Sequence, residues 1–598
     1  MARQWHRLPG LLSPTIVLTL LIACLFLLRL PIARMPFEFN VDESQLLAEA
    51  MKFAADPRPW NSVDTCGPLN SWIITVFLLL GFKLGYVLAH MLASVLVCLQ
   101  VLVAYLTLRR LKSDADAGVG ALLMVLLYGL STKLDLLHYS TELLPTLLAM
   151  VGFYLFIVWL HEISERRRIG IQLGCLYLGG LALGSAPWGK LQALPITGAL
   201  GILFLTAVFY APRGRTGLKQ KAVESVVFLC GGLSTTGAIL GVSAAFGSLP
   251  DFWYSYIRAP LNFVGSLSLI TCFVNLLRLL LMSPIHQLLL VAILGIALLD
   301  GAVPNVSVRR LLKGNAWAYG GVAAYAGAAL FTATRSSYGW LHHGTFLVPP
   351  MTYIAALLIH GGASKFVEAR AANSSMKRPI PSLLGPGLLA LLVLGVYSAY
   401  AIRYVQLIST VGQNSGARSE MHLDSLRHPD PNSNKVAAAA HRVWEFLRLC
   451  IGPERWGPVE DGSQPIAAVV RDIEKQRPVN SISVWGWDPG IYVLTGIPPS
   501  TRDTITERAI DHDVLQEYFD TRYVNDLRAN PPDLFIDAIT KGGFMWLTWS
   551  ESDGYESNAQ LREFIDENYV LVRELTLAEG TKPIRFFARR AEPSRHEQ

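Results

Sequence analysis

The sequence predicts a polytopic α-helical membrane protein that ends in a soluble α/β domain. Of its 598 residues, 52% are hydrophobic and only 16% are charged, whereas soluble domains carry about 25% charged residues. The long apolar runs lie between residues 11 and 402, and the remaining chain alternates strand-like and helical patterns. We therefore expect a membrane domain over residues 1–402 and an α/β domain over residues 403–598.

Apolar segments of roughly 17–25 residues are long enough to cross a bilayer as helices. The sequence contains about eleven such candidates. They are residues 12–32, 84–108, 117–131, 142–160, 171–189, 192–210, 222–246, 267–300, 316–334, 344–361 and 382–402. Ser283-Pro284 either kinks one span over residues 267–300 or separates two short ones.

Basic clusters between the apolar segments indicate the orientation of the chain, because loops rich in Lys and Arg stay cytoplasmic. These clusters begin at Arg109, Arg166, Arg213, Arg309 and Lys365. All of them fall on one side if residues 267–300 cross once and the N-terminus is cytoplasmic. We expect a cytoplasmic-membrane protein with the first loop, residues 33–83, and the C-terminal domain outside. The basic loops account for the net charge of +6, so a nucleic-acid partner is not indicated.

Two adjacent carboxylates, Asp42 and Glu43, follow the first span. Ionisable residues at a membrane boundary are often functional, and Asp42 is therefore a candidate catalytic base. Plainer interpretations stay open: Asp42 caps a helix over residues 43–56, and Glu43 favours that helix N-terminus. Glu43 is alternatively catalytic, contacting the acceptor or, with Asp42, a divalent metal ion. Apolar residues at helical spacing predict that helix 43–56 lies on the membrane surface.

The second external loop also contains polar residues. Glu142 lies at the start of a predicted span and is a second candidate catalytic carboxylate. A role in capping that span or in contacting lipid headgroups is the alternative. Asp135 and His138 precede it in the same loop, and we expect both to be solvated.

Two further external segments contribute cations and imidazoles. Lys190 and Arg335 can neutralise the charge that grows on a departing phosphate, and His342 or His343 can donate hydrogen bonds to it. All four are therefore candidates for binding a donor phosphate. Each cation is alternatively an interface residue that extends towards the headgroups. Of the two histidines, we expect one to point inward and the other to contact headgroups.

At these motifs the chain resembles the GT-C glycosyltransferases, which include the protein O-mannosyltransferases and the aminoarabinose transferase of lipid A. Phe39–Glu43 is similar to the Asp-Glu motif of their first external loop, and Gly67–Trp72 to their Pro-Pro-Leu segment. Tyr139–Pro145 resembles the stretch with their second acid, and Trp340–His343, followed by Pro349-Pro350, resembles their His-Tyr…Pro segment. The resemblance covers about two thirds of the chain, residues 1–402.

The resemblance implies a GT-C membrane fold and a polyprenyl-phosphate-linked sugar as donor. It also implies an inverting transfer with Asp42 as base. The acceptor would be a hydroxyl of a glycan, lipid or protein, and membrane lipids would surround the protein. The chain departs from the pattern at two points: Thr65-Cys66-Gly67 replaces a Lys that some members carry, and His343 stands where Tyr is common. Neither the resemblance nor the residues indicate a certain cofactor, and a divalent metal stays open.

Two other function classes compete with a transferase. A transporter or flippase for a lipid-linked substrate would place ionisable residues near the middle of its spans and often has inverted repeats, whereas here the charges gather at one face. An inactive homologue that serves as a scaffold is the other alternative.

The C-terminal region is expected to be a small α/β accessory domain that holds the acceptor. A helical connector is predicted over 435–449. Strands are predicted over residues 481–485, 533–537, 543–547, 569–572 and 583–588, the last two as a closing pair. A disulfide between Cys66 and Cys450, both in predicted external segments, stays open.

Overall fold

The computed structural model describes residues 13–58, 60, 66–112, 114–131, 133–165, 169–211, 217–264, 268–282, 308–335, 340–357, 463–540, 551–577 and 581–590. These residues divide into two compact units. Unit 1 contains the residues up to Arg34, Met91–Gly237 and the described residues from 268 to 357; unit 2 contains Met35–His90, residues 238–264 and the described residues from Ser463 on.

Several sequence predictions fall outside the described residues. These are the boundary at residue 402, the single or double span after Ser283-Pro284, the connector helix, the strand over residues 543–547, and Cys450. They stay predictions.

The apolar segments form helices, as the sequence predicts. They are α1 (Pro14–Ala33), α4 (Tyr86–Leu111), α5 (Asp114–Gly129), α6 (Leu143–Ser164), α7 (Ile169–Ser185), α8 (Leu194–Tyr210), α9 (Leu218–Ala245), α11 (Leu269–Met282), α12 (Val308–Thr334) and α13 (residues 348–357). The first loop adds α2 (Val41–Ala55) and α3 (Pro68–Leu79), and α10 (Ala259–Val264) follows a π-helix over Phe252–Arg258.

Within the described part of the chain, six helices are long and apolar enough to cross a membrane. They correspond to α1, α4, α6, α7, α8 and α9, the last four of which follow one another in sequence. Each coincides with a predicted span, and the chain is a multi-pass membrane protein. Helices α5, α11, α12 and α13 lie at four more predicted spans. The segment 382–402 is outside the described residues, so the total of eleven remains a prediction.

Helices α7 and α9 of unit 1 pack with their backbones in contact. A Cβ on Gly184 would lie 1.9 Å from the carbonyl oxygen of Gly232, and one on Gly180 would lie 2.2 Å from that of Phe228. A Cβ on Gly231 would likewise collide with the carbonyl oxygen of Tyr177. Small residues four positions apart permit such close approach between membrane helices.

The core of unit 1 is aromatic. Phe153 of α6 packs 5.9 Å from Tyr325 of α12 and 5.7 Å from Tyr353 of α13, measured between ring centroids. Phe204 of α8 lies 4.8 Å from Phe156 of α6. These contacts hold α6 at the centre of the unit, and the amino-terminal end of α6 carries Glu142.

The C-terminal residues of unit 2 form a four-stranded sheet in the order β1-β2-β4-β3. Strand β1 (Ile482–Trp485) pairs in parallel with β2 (Leu534–Asp537), and β4 (Ile584–Arg589) pairs antiparallel with both β2 and β3 (Tyr569–Leu575). The four predicted strands that fall on described residues are therefore confirmed, including the closing pair. Helices α14 (Ser463–Glu474), α15 (Gly490–Thr495), α16 (Glu507–Ile510), α17 (Gln516–Ala529) and α18 (Ala559–Asn568) complete the α/β fold.

Both faces of the sheet are covered at β1 and β2, and these two strands are fully buried. Successive side chains of a strand point to opposite faces. Val484 and Ile536 accordingly lie in one hydrophobic cluster, and Trp485 and Phe535 lie in the other.

Helix α2 belongs to this α/β fold and does not lie on a membrane surface, which corrects the prediction for residues 43–56. Ala48 is fully buried in the hydrophobic cluster that contains Val484 and Ile536. Nζ of Lys52 donates a hydrogen bond to the carbonyl oxygen of Ser500 at 2.9 Å. The apolar stripe of α2 that suggested a lipid surface is instead buried against protein.

The segment before α10 is also joined to the C-terminal residues of unit 2. The guanidinium of Arg522 on α17 contacts Asp503 and donates to Oγ of Ser255 at 2.6 Å. The ring of Tyr254 stacks on Tyr518 with centroids 3.9 Å apart. These contacts pack Tyr254 and Tyr518 against the hydrophobic cluster that contains Trp485 and Phe535.

Candidate functional site

A buried ion pair lies at the start of α6. Glu142 immediately precedes the helix and is fully buried, and Nζ of Lys190 contacts its carboxylate. The same ammonium donates to Oγ1 of Thr141 at 2.8 Å. Gly189 permits this approach, because a Cβ there would lie 2.7 Å from Cγ of Pro145.

Both histidines of the predicted pair face this carboxylate. They lie in a 3₁₀ segment, Leu341–Leu347, and both are buried. Nε2 of His343 is 3.5 Å and Nε2 of His342 is 3.9 Å from Oε1 of Glu142. The two rings are nearly perpendicular, at 88°, with centroids 4.7 Å apart. The expectation that one of them contacts headgroups is wrong, because this local geometry turns both towards Glu142.

Asp135 holds His342 through two hydrogen bonds. Oδ2 accepts the backbone N–H of His342 at 3.0 Å, and Oδ1 lies 2.9 Å from its Nδ1. His138, four residues before Glu142, is buried and places its ring edge-on to His342 at 5.6 Å. The expectation that Asp135 and His138 are solvated is therefore wrong, since the 3₁₀ turn Leu134–Leu136 folds this loop inward.

The charges of this cluster are mutually compensated. Burial alone would raise the pKa values of Glu142 and Asp135, but the cations around them dominate and hold both values well below the usual range. Burial likewise opposes protonation of His342, yet Asp135 and Glu142 raise its pKa to about 9. His343 behaves in the opposite way: burial, Lys190 and His342 lower its pKa well below the usual value. At neutral pH the cluster thus holds two carboxylates, an ammonium, an imidazolium and a neutral imidazole.

Arg29 of α1 supports the loop that carries these residues, and the sequence analysis missed it. Its buried guanidinium donates to Oγ of Ser94 at 3.1 Å, to the carbonyl of Tyr128 at 3.4 Å and to the carbonyl of Leu137 at 2.8 Å. Leu137 directly precedes His138. An arginine inside an apolar span is itself a signal of function, and that signal could have identified Arg29.

Glu142, His342 and His343 also form a set of donors that suits a metal ion, since one atom from each lies within 4.8 Å of the others. A carboxylate with two imidazoles is typical of zinc sites. Here the ammonium of Lys190 already contacts the carboxylate. We therefore interpret the set as an ion-paired cluster. A metal at Asp42 and Glu43 stays a prediction.

Asp42 lies in the first turn of α2, and the capping role that competes with catalysis belongs to another residue. The helix begins at Val41, and its N-cap is Asn40, whose side-chain oxygen accepts the N–H of Asp42 at 2.9 Å. The interpretation of Asp42 as the N-cap is therefore wrong. Its carboxylate is half-buried.

Glu43 is fully buried and connects α2 to the residues around it. Its carboxylate accepts the N–H of Phe39 and lies 3.2 Å from Nε2 of His90. Nδ1 of His90 in turn lies 3.1 Å from the carbonyl oxygen of Met35, which can only accept a hydrogen bond. These contacts support a role for Glu43 in holding residues 35–39 against α2; a direct catalytic role stays a prediction.

Arg335 directly follows α12, and its guanidinium lies 5.2 Å from the ring centroid of Phe331. In the described part of the chain, Glu142 pairs with the ammonium of Lys190 and lies 3.9 Å and 3.5 Å from Nε2 of His342 and His343. Those residues, with Asp135, form what we call the Glu142 cluster. A phosphate-binding role for Arg335 stays a prediction.

No protein-family model matches the chain, and no curated protein is similar to it by sequence. Solved structures do match. ArnT from Cupriavidus metallidurans in the apo state shares 12% identity over 96% of this chain and 97% of that one, with a TM-score of 0.51. ArnT bound to undecaprenyl phosphate shares 13% identity over the same fractions, also with a TM-score of 0.51. The apo oligosaccharyltransferase of Archaeoglobus fulgidus shares 11% identity over 89% of this chain and 70% of that one, with a TM-score of 0.45.

The chain has the GT-C fold. At such low identity the match to ArnT establishes the fold alone, and it extends over nearly the whole length of both chains. The fold class that the sequence predicts, a GT-C membrane domain with a C-terminal α/β region, is thereby confirmed. The Glu142 cluster lies within the membrane-helix unit of this GT-C fold.

Proposed function

We propose that the protein is a membrane glycosyltransferase that moves a sugar from a polyprenyl-phosphate-linked donor to an acceptor hydroxyl. The observation that carries this proposal is the Glu142 cluster in a chain with the GT-C fold. The cluster places a partly buried ammonium, Lys190, and a protonated imidazole, His342, beside one carboxylate. Such preorganised cations stabilise negative charge that develops on a leaving phosphate.

The proposed reaction is a single displacement at the anomeric carbon of the donor sugar. The acceptor oxygen attacks that carbon as the bond from carbon to phosphate oxygen breaks, and the polyprenyl phosphate departs with the bonding electron pair. The carboxylate of Asp42 takes the proton of the acceptor hydroxyl as general base. The configuration at the anomeric carbon is inverted.

We assign the donor phosphate to Lys190, His342 and His343, with Arg335 as a further candidate. Glu142 orients these groups through its ion pair and its proximity to both imidazoles. ArnT has been solved with undecaprenyl phosphate bound, and this supports a lipid phosphate as the carrier. The acceptor is a glycan, lipid or protein hydroxyl on the extracytoplasmic side of the cytoplasmic membrane, with the C-terminal domain on that side.

The domain boundary near residue 402 is also part of this proposal. Residues 1–402 would supply the membrane fold and the phosphate cluster, and residues 403–598 would hold the acceptor. The packing of α2 against the C-terminal residues supports a closer relationship than that of an accessory domain, since α2 carries Asp42.

The test measures sugar transfer from a lipid-linked donor by the purified full chain in liposomes. Lipid-linked sugars that accumulate in cells lacking the protein would be identified by mass spectrometry, and the accumulating species would be supplied as donor. We expect sugar transfer with inversion, and a loss of about 10²–10⁴-fold in rate for Asp42→Asn. Near-normal transfer by a folded Asp42→Asn variant would overturn the role of Asp42. Movement of the labelled lipid across the bilayer without any transfer would instead indicate a transporter.

A further inference from the structure

We propose that an apolar stripe on the helical segment between α9 and α11 inserts into the lipid surface and attaches the C-terminal α/β residues to the membrane. The stripe consists of Leu249, Trp253, Ile257 and Leu261. Its partner is the phospholipid of the bilayer. The attachment is independent of the proposed sugar transfer, because it follows from the helical segment alone.

The four residues of the stripe recur at every fourth position of one continuous helical segment. Residues 249–264 are helical throughout, with the π-helix in the middle. Side chains four positions apart lie on the same face of a helix. Leu249, Trp253 and Leu261 are 42%, 52% and 64% exposed, and Ile257 is half-buried. One face of the segment is therefore both apolar and exposed along most of its length.

The opposite face of the same segment is held by the C-terminal residues. Asp251, Ser255 and Ala259 repeat at the same spacing, displaced by two positions, and two positions correspond to about 200° around a helix. Asp251 accepts a hydrogen bond from the hydroxyl of Tyr518 at 2.7 Å, and Ser255 accepts one from Arg522 at 2.6 Å. Ala259 is fully buried in the hydrophobic cluster that contains these helices and strands. The stripe consequently faces away from the α/β core.

Chain continuity keeps this segment near the membrane. Helix α9 has 28 residues and is about 42 Å long, which matches the roughly 40–45 Å of a bilayer with its headgroups. Gly247 ends α9 with φ of 70°, and the N–H of Ser248 bonds back to the carbonyl oxygen of Ser243 at 2.8 Å. Leu249 follows four residues after the end of α9, and four residues reach at most about 14 Å. At its other end the segment leads into α11, which begins five residues later.

Phospholipid is the partner that these residue types favour. Trp is enriched where hydrocarbon meets headgroups, because its ring is apolar and its N–H can stay with polar groups. An amphipathic helix of this kind lies in the plane of the interface, with its apolar face inserted about 5–10 Å. Arg258 is exposed beside the stripe, and a long cationic side chain there can extend to anionic headgroups. The stripe itself contains no charged residue.

The test places the photoreactive residue benzoylphenylalanine at single positions of the full chain, in liposomes of phosphatidylethanolamine and phosphatidylglycerol. Trp253 and Leu261 are the stripe positions. Leu571 of β3 is the matched control, because it is 45% exposed, and Leu233 on α9, 63% exposed, sets the signal of a lipid-facing residue. After illumination, phospholipid adducts are quantified by mass spectrometry. We expect adducts at both stripe positions at least about tenfold above Leu571, since contact with lipid removes the stripe from water.

Equal labelling at Trp253 and Leu571 would overturn the inference. A cross-linked dimer at Trp253 in place of lipid adducts would also overturn it, since a second copy would then cover the stripe. All of these probes replace exposed side chains, so the fold is not at risk.

A second measurement adds a charge to the stripe. Trp253→Glu should lower the lipid adducts at Leu261 by about threefold or more, because a carboxylate is costly in contact with lipid. Leu571→Glu should leave them unchanged. An undiminished signal at Leu261 in Trp253→Glu would contradict the attachment of this segment through Trp253.

Discussion

Lys52 of α2 donates a hydrogen bond to the carbonyl oxygen of Ser500, which lies 448 residues later in the chain. The contact joins the helix that carries Asp42 to the C-terminal α/β residues. Ala48, one helical turn before Lys52, is fully buried in the same hydrophobic cluster as Ile466 and Ile491. The first loop and the C-terminal residues therefore fold as parts of one unit.

Overpacking at Ala48 should reveal this burial. Ala48→Leu adds a branched side chain to a filled core and should lower the free energy of unfolding by about 1–3 kcal/mol. Ala54→Leu on the same helix is the control, because Ala54 is exposed. Thermal unfolding of the purified protein measures both. Equal tolerance of the two substitutions would contradict the placement of Ala48 in the core and favour a helix on a membrane surface.

Asn40 and Asp42 should separate stability from catalysis. Asn40→Ala removes the N-cap of α2, and it should cost about 1 kcal/mol of stability while transfer is largely kept. Asp42→Asn should leave the stability largely unchanged and abolish most of the transfer. Thermal unfolding and transfer rates are measured on both variants. If Asp42→Asn lowers stability as Asn40→Ala does, the assignment of the cap to Asn40 is wrong.

The ion pair between Lys190 and Glu142 should behave as a coupled unit. Lys190→Met removes the ammonium that pairs with a buried carboxylate, and breaking such a pair should destabilise the protein by about 3–5 kcal/mol. The double variant Lys190→Met, Glu142→Gln removes both charges and should recover most of that stability without recovering transfer. Thermal unfolding measures the stability of each variant, and the rate of sugar transfer measures its function. A double variant as unstable as the single one would contradict the pairing.

Backbone contact between α7 and α9 should make Gly184 intolerant of any side chain. A Cβ there would lie 1.9 Å from a carbonyl oxygen of Gly232, and backbone atoms cannot move aside without separating the helices. We expect Gly184→Ala to yield little folded protein. Gly174→Ala on the same helix meets nothing within 4 Å and should be tolerated or slightly stabilising, since Ala favours a helix by about 1 kcal/mol over Gly. Size-exclusion profiles in detergent distinguish the two, and equal yields would count against this packing.

The protonation of His342 predicts an alkaline limit. Burial opposes protonation, but Asp135 and Glu142 raise the pKa of His342 to about 9. A group whose pKa is raised on folding contributes stability that is complete below its unfolded pKa of about 6.5 and is lost as the pH passes the folded value. Stability and phosphate affinity should therefore fall as the pH rises through about 9. Thermal unfolding and binding across pH measure this, and an unchanged alkaline limb in His342→Gln would contradict the assignment.

The sequence by itself determined the apolar helices, their order and most strands of the α/β region. Apolar length predicts membrane spans, and strand periodicity predicts β1, β2, β3 and β4, because both signals are local and reflect how much surface one segment must bury. The sequence also identified Glu142, Lys190, His342 and His343 as candidate site residues, because charged and imidazole groups are costly at a membrane boundary unless they are paired.

Only the tertiary structure decided which groups those residues meet. Asp135 was expected in solvent, yet it holds His342, because a 3₁₀ turn folds its loop inward. The stripe of α2 predicted a lipid surface, and an apolar helix face looks the same in sequence whether lipid or protein covers it. Ala48 and Lys52 meet partners more than 400 residues away, and such long-range contacts leave no local pattern in the chain.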